Sequence, residues 1–136
     1  MTTAIYPYVE MPGEDGNFAP ACYVTFRVGA AASRELALLD SGASHTTLTA
    51  KVVRDLALQP DPTLPFVRVS GAVSESELAC QYIVDVEGVE SVFQRIKVHQ
   101  TRRDYAIIGR DILDRIVLHL DGPRHEFYVD TPAVMR

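Results

Sequence analysis

Leu38-Leu39-Asp40-Ser41-Gly42-Ala43-Ser44 decides how this chain of 136 residues is read. With Ala37 in front, the run is a continuous apolar approach, the pattern of a strand buried on both faces. It ends in a carboxylate and a hydroxyl and passes into a glycine turn. Asp, Ser and Gly are ordinary turn formers, so the run alone describes no more than a turn. A carboxylate closing a buried strand is costly to desolvate, however, unless it is paired or shares a proton. Far downstream, Ile107-Ile108-Gly109-Arg110-Asp111-Ile112-Leu113 supplies a second apolar strand. Its closing glycine is a place where another backbone can approach closely.

Outward from these two runs, the chain reads mostly as short strands. Cys22–Val28 alternates between apolar and polar positions, Gly29 begins a loop, and Glu35–Leu39 returns as a strand. Thr46–Leu48 suits a short strand and Ala50–Leu58 a helix with Thr49 as N-cap. After a proline-punctuated loop, Phe66–Val69 and Glu77–Val86 read as strands around the polar tip Ser70–Glu75, a hairpin with an exposed end. Gly88 marks a turn before a strand over Ser91–Val98. Tyr105–Ile108 is a short strand and Arg110–Arg115 one or two helical turns. Ile116–Leu120 and Glu126–Val129 form a closing hairpin through Gly122-Pro123. The fold class is therefore all-β, a closed or folded sheet barrel with one or two short helices. Residues 1–20, with three prolines and two glycines, read as an extended arm carrying an edge strand near Ala4–Val9. Residues 21–130 form the domain and 131–136 a polar tail.

Composition narrows the function classes. Hydrophobic content of 47% and a single-domain length predict a folded core without staples. A net charge of -5 and scattered cations argue against nucleic acid as a partner. No apolar stretch is long enough to span a bilayer, and Met1–Glu10 lacks the pattern of a signal peptide, so the expected location is cytoplasmic and away from membranes. Cys22 and Cys80 read as free core thiols. The four histidines gather no convincing metal set, so no metal and no cofactor is expected. Asp40, Ser44 and His45 do not make a hydrolase triad, because adjacent turn residues seldom converge and no nucleophile elbow is present.

As an ordered pair, apolar-apolar-Asp40-Ser41-Gly42-Ala43 and Ile107-Ile108-Gly109-Arg110-Asp111 resemble the signature of the retropepsin-like aspartic proteases. The resemblance spans roughly Cys22 to Val129 and is closer to bacterial and eukaryotic members than to compact viral ones. It implies a single-lobed protease fold and hydrolysis of a polypeptide substrate by water held between two aspartates. Only one such motif occurs here, so the resemblance implies a two-fold homodimer, with Asp40 supplied by each subunit. It gives Ser41, Gly42 and Ala43 the role of supporting the active-site loop, and Ile108, Gly109 and Arg110 that of holding it from behind. Val69, Ser70, Gly71, Ala72 and Val73 fall in the flap that covers substrate.

Two departures stand out. Ala43 offers no hydroxyl to the carboxylate, which predicts a less acidic dyad and activity extending toward weakly acidic or neutral pH. Ser44 stands where many viral relatives carry the acid that pairs with the arginine. Arg110 then has backbone carbonyls of the active-site loop or of the partner chain, or Asp104 or Asp111, as its choices; a solvated helix-start residue is the plainer reading. An inactive, peptide-binding module of the same fold is the alternative function.

Overall fold

The computed structural model describes residues 2–70 and 76–131. In chain order the elements are β1 (Thr2–Pro7), β2 (Val9–Glu10), β3 (Phe18–Ala19), β4 (Ala21–Val28), β5 (Ala31–Leu39), β6 (Thr47–Leu48) and α1 (Ala50–Asp55). They continue with β7 (Val67–Ser70), β8 (Ser76–Ala79), β9 (Tyr82–Gly88), β10 (Ser91–Gln100), β11 (Ala106–Ile108), α2 (Arg110–Leu113), β12 (Val117–Asp121) and β13 (Glu126–Thr131). Six strands close a barrel in the order β10-β6-β11-β5-β4-β9. A separate sheet, ordered β1-β13-β12, packs against it, and β7-β8 stands as a two-stranded hairpin. The expected all-β class with a barrel and short helices is the one found.

The barrel follows from the alternation of its strands. Val24, Phe26, Val84, Val86, Ile96 and Val98 point inward and are buried. Strand β5 is covered on both sides: Ala37 and Leu39 join this main core, while Leu36 and Leu38 pack with Met11, Ala21 and Tyr105. The β4–β5 turn places Gly29 at φ +57, the positive value that a two-residue hairpin turn demands at its first position.

Several boundaries differ from the expectation, each for a local reason. The helix stops at Asp55 rather than Leu58. Ala57 enters the left-handed region at φ +48, and Leu58 N–H donates to Val53 O at 3.0 Å, closing a Schellman motif without its usual glycine. The expected strand Glu77–Val86 breaks at Cys80-Gln81. There Gln81 donates through Nε2 to Pro65 O at 2.9 Å and accepts at its carbonyl from Asp61 N–H at 3.0 Å. The next turn lies at Val89-Glu90, both at positive φ, not at Gly88. Gly88 is instead the last paired residue of β9, where an added Cβ would lie 2.5 Å from Val24 Cγ1. A bulge between Phe93 and Ile96 carries Arg95 at φ +55, its N–H held by Asp85.

Strand β1 pairs with β13 from Thr2↔Thr131 to Pro7↔Glu126, and Tyr6 stacks on Phe127 at 4.9 Å. Burial, and then the carboxylate of Glu90, raises the Tyr6 phenol well above its usual range. Both cysteines are free, and burial pushes the Cys22 thiol up to about 11. No helix among the described residues is long and apolar enough to cross a membrane.

Candidate active site

Asp40 is positioned by strand pairing before any side chain acts. Strand β11 runs parallel to β5, with Ile108 opposite Leu39, and Asp40 N–H extends that ladder by donating to Ile108 O at 3.0 Å. On the other side Leu39 N–H donates to Pro20 O at 2.9 Å. The half-buried carboxylate therefore leaves the end of a strand gripped from both edges.

The turn that follows is tight. Ala43 N–H donates to Asp40 O at 3.1 Å, and Gly42 N–H donates to Asp40 Oδ1 at 2.8 Å. A Cβ on Gly42 would sit 3.1 Å from that same oxygen, so a side chain here would crowd the carboxylate. Ser41 and Gly42 are exposed, while Ala43 is half-buried.

The second run docks behind the turn. A Cβ on Gly109 would meet the backbone of His45 at 2.6 to 2.9 Å, three contacts with main-chain atoms that cannot rotate away. Arg110 fastens the loop twice: its N–H donates to Ala43 O at 2.8 Å and Nη1 donates to Ser41 O at 2.7 Å. Of the partners open to Arg110 in the sequence, the structure selects a carbonyl of its own loop.

Two residues without an assigned role complete the junction. Thr46 is fully buried; its hydroxyl accepts from Gly109 N–H at 3.2 Å and donates to Asp111 Oδ1 at 2.7 Å. Asp111 Oδ2 accepts Thr46 N–H at 3.0 Å, and Oδ1 also accepts Ile112 N–H at 2.9 Å. The sequence signal was faint: an acid just after Gly109-Arg110 and a hydroxyl residue opening the strand after the turn.

Around this knot lie two histidines. Ser44 Oγ is 2.9 Å from His45 Nδ1, and both residues are exposed. Among the described residues no hydrogen bond joins Asp40 to His45, so Ser44, His45 and Asp40 assemble no serine-hydrolase triad. His99 is half-buried on β10. Burial first, and then the nearby His45, holds it below its ordinary value, against an opposing pull from Asp111.

The flap candidates divide. Val69 and Ser70 belong to β7, with Val69↔Glu77 and Ser70↔Ser76 paired across the hairpin. Gly71, Ala72 and Val73 lie outside the described residues.

The fold that carries this loop has counterparts among solved proteins. A retropepsin-like aspartic protease from Rickettsia conorii superposes with a TM-score of 0.65 over 94% of this chain and 91% of its own, at 17% identity. This is a retropepsin-like fold. The EIAV protease complexed with the inhibitor HBY-793 gives a TM-score of 0.53 over 78% of this chain and 92% of its own, at 20% identity. No family model matches the sequence. No curated protein matches it either. Within the retropepsin-like fold, this chain brings Asp40, Gly42, Ala43, Gly109 and Arg110 to one junction, with one carboxylate at its open face.

Proposed function

We propose that the chain is an aspartic endopeptidase of the retropepsin-like family that works as a homodimer. The observation that carries this reading is the single Asp40 carboxylate. Its residue is anchored by the backbone N–H donated to Ile108 O, and its Oδ1 accepts from Gly42 N–H, at the exposed lip of a loop that Arg110 ties from behind. Each chain brings one such group, and water activation by a carboxylate pair then needs a second copy.

Two carboxylates brought to about 3 Å cannot both ionise cheaply, so they share a proton and titrate as a pair. The ionised member takes a proton from water, and the protonated one gives its proton to the scissile carbonyl oxygen. Gly42 N–H, already on Asp40 Oδ1, biases the other oxygen toward the water. The flap hairpin β7–β8 offers main-chain groups for an extended peptide.

The two-fold partner needs a surface near this loop. Strand β13 is paired on both edges, by β1 and β12, whereas β12 is an outer strand of its sheet. It follows α2 directly, contains no proline, and exposes Val117 and Leu120. Antiparallel pairing of β12 with its own copy generates a two-fold axis, while β1 is blunted by Pro7.

The test is cleavage of a diverse peptide library over pH 3–8 by the intact chain and by Asp40→Asn, with mass measured by light scattering. Cleavage lost in Asp40→Asn from a dimeric species supports the reading. A stable dimer that cleaves nothing points to the peptide-binding alternative, and a strictly monomeric active enzyme overturns the shared site.

A further inference from the structure

We propose that a cleft whose lining excludes Asp40 and its loop, between α1 and residues 101–104, binds an acidic polypeptide segment. Its volume is about 470 Å³, and three parts of the chain wall it: Glu35 of β5, the start of α1, and the segment that leaves β10. Thr101 N–H donates to Leu48 O at 2.8 Å and ties the segment leaving β10 to β6, just ahead of the N-cap of α1. This volume lies within the range of sites that hold several ligand groups.

The charge of the lining is opposite to that of the molecule. Lys51, Arg54, Arg102 and Arg103 all border the cleft, four of 13 cations in a chain of net charge -5. Two carboxylates, Glu35 and Asp104, share the lining. Glu35 is already committed: Oε2 accepts from the Thr49 hydroxyl at 2.9 Å and Oε1 from Leu36 N–H at 3.3 Å. Arg103 is held in place, with Nη1 donating to the Tyr105 hydroxyl at 2.9 Å, so little further side-chain entropy is lost when its remaining donors take a ligand. Lys51 Nζ pairs with Asp55 at 2.9 Å in an exposed bridge and makes longer contacts to Ser33 Oγ at 3.4 Å and Arg34 O at 3.5 Å, so Arg102 and Arg103 with Arg54 carry most of the recognition.

Guanidinium forks match carboxylates bidentately, and the chemistry of the ligand follows from that match. A nucleic-acid backbone would need a longer basic stripe and would meet the repulsion of the acidic molecule as a whole. Side-chain carboxylates on a flexible, otherwise neutral backbone can reach the cations while keeping clear of Glu35 and Asp104. The cleft shares no residue with the catalytic loop, so the proposal stands apart from the protease reading.

The experiment titrates the full chain, carrying Asp40→Asn to exclude proteolysis, into fluorescein-labelled hexaglutamate, with hexalysine and an oligodeoxythymidylate as comparisons. Saturable binding of hexaglutamate is expected. It should weaken about tenfold in Arg54→Glu/Arg103→Glu and fall steeply as salt rises to about 0.5 M. Because Arg103 also braces Tyr105, Arg54→Glu alone, at an exposed helix position, provides a second variant and should weaken binding about threefold. Absence of saturable binding, binding indifferent to both variants, or tighter binding of the oligonucleotide would each overturn the proposal.

Discussion

Replacing Thr46 by Val keeps the shape of a fully buried side chain and removes only its hydroxyl. Two bonds go with it: the donation to Asp111 Oδ1 at 2.7 Å and the acceptance from Gly109 N–H at 3.2 Å. Gly109 N–H is left buried without its partner, at a cost of about 1–3 kcal/mol, and the bond to the carboxylate is worth about 1.5–3 kcal/mol. The two overlap, because Asp111 keeps Thr46 N–H and Ile112 N–H, so the expected loss is about 3 kcal/mol. At about 2.1 cal/mol/K per residue, that lowers the melting temperature of a chain this long by about 10 °C. Thr46→Ser keeps the hydroxyl and loses one buried methyl, about 1 kcal/mol. Urea unfolding with an unchanged slope measures both values. A Val variant costing less than about 1 kcal/mol, or a Ser variant costing as much as Val, would show that packing rather than the hydroxyl holds Gly109 against the loop.

Ala57→Gly should raise stability by about 0.5–1 kcal/mol in the same unfolding assay, since glycine relieves the left-handed position that closes α1. His99→Gln should flatten the decline in stability as pH falls below 6.5. The histidine's folded value is depressed, so the unfolded chain takes the proton first, and the stability present above 6.5 is lost as pH drops toward the folded value; thermal melts at pH 5 and 7.5 give the comparison. Leu120→Glu, at a side chain 59% exposed on β12, should abolish the dimer and peptide cleavage together. It should change the stability of the monomer by less than about 0.5 kcal/mol, as read by light scattering and melting; a dimer that survives the substitution removes β12 from the interface.

The parts of the fold legible in the sequence are those in which one residue type has one physical use. Ala37–Leu39 read as a strand covered on both faces, and two apolar clusters do cover it. Gly109 read as a point of close backbone approach, and the backbone of His45 fills the place of its missing Cβ. The rest depended on contacts between distant residues. Thr46 and Asp111 are 65 positions apart, and each has an ordinary local use, so their partnership is invisible until the strands are set. The turn at Val89-Glu90 carries neither glycine nor asparagine. Gly88 drew the turn assignment, although its task is to admit Val24. The break at Cys80-Gln81 was hidden because apolar alternation runs through it, and only Pro65 and Asp61 reveal why the chain bends there.

Arg110 shows how a cation without a carboxylate partner can still secure a site. Ser44 offers no carboxylate; the guanidinium turns to Ser41 O, and the backbone N–H of Arg110 takes Ala43 O. Both acceptors flank Gly42, so the residue whose N–H meets the carboxylate is braced on either side. Bonds from Asp111 to Thr46 and from Thr46 to Gly109 complete the brace from the rear, leaving Ser41 and Gly42 exposed at the front. A loop held this firmly within one chain does not wait for a partner to acquire its shape. Under the dimer reading, association therefore brings together two carboxylates already placed, and the ordering cost that a flexible loop would add to binding is avoided.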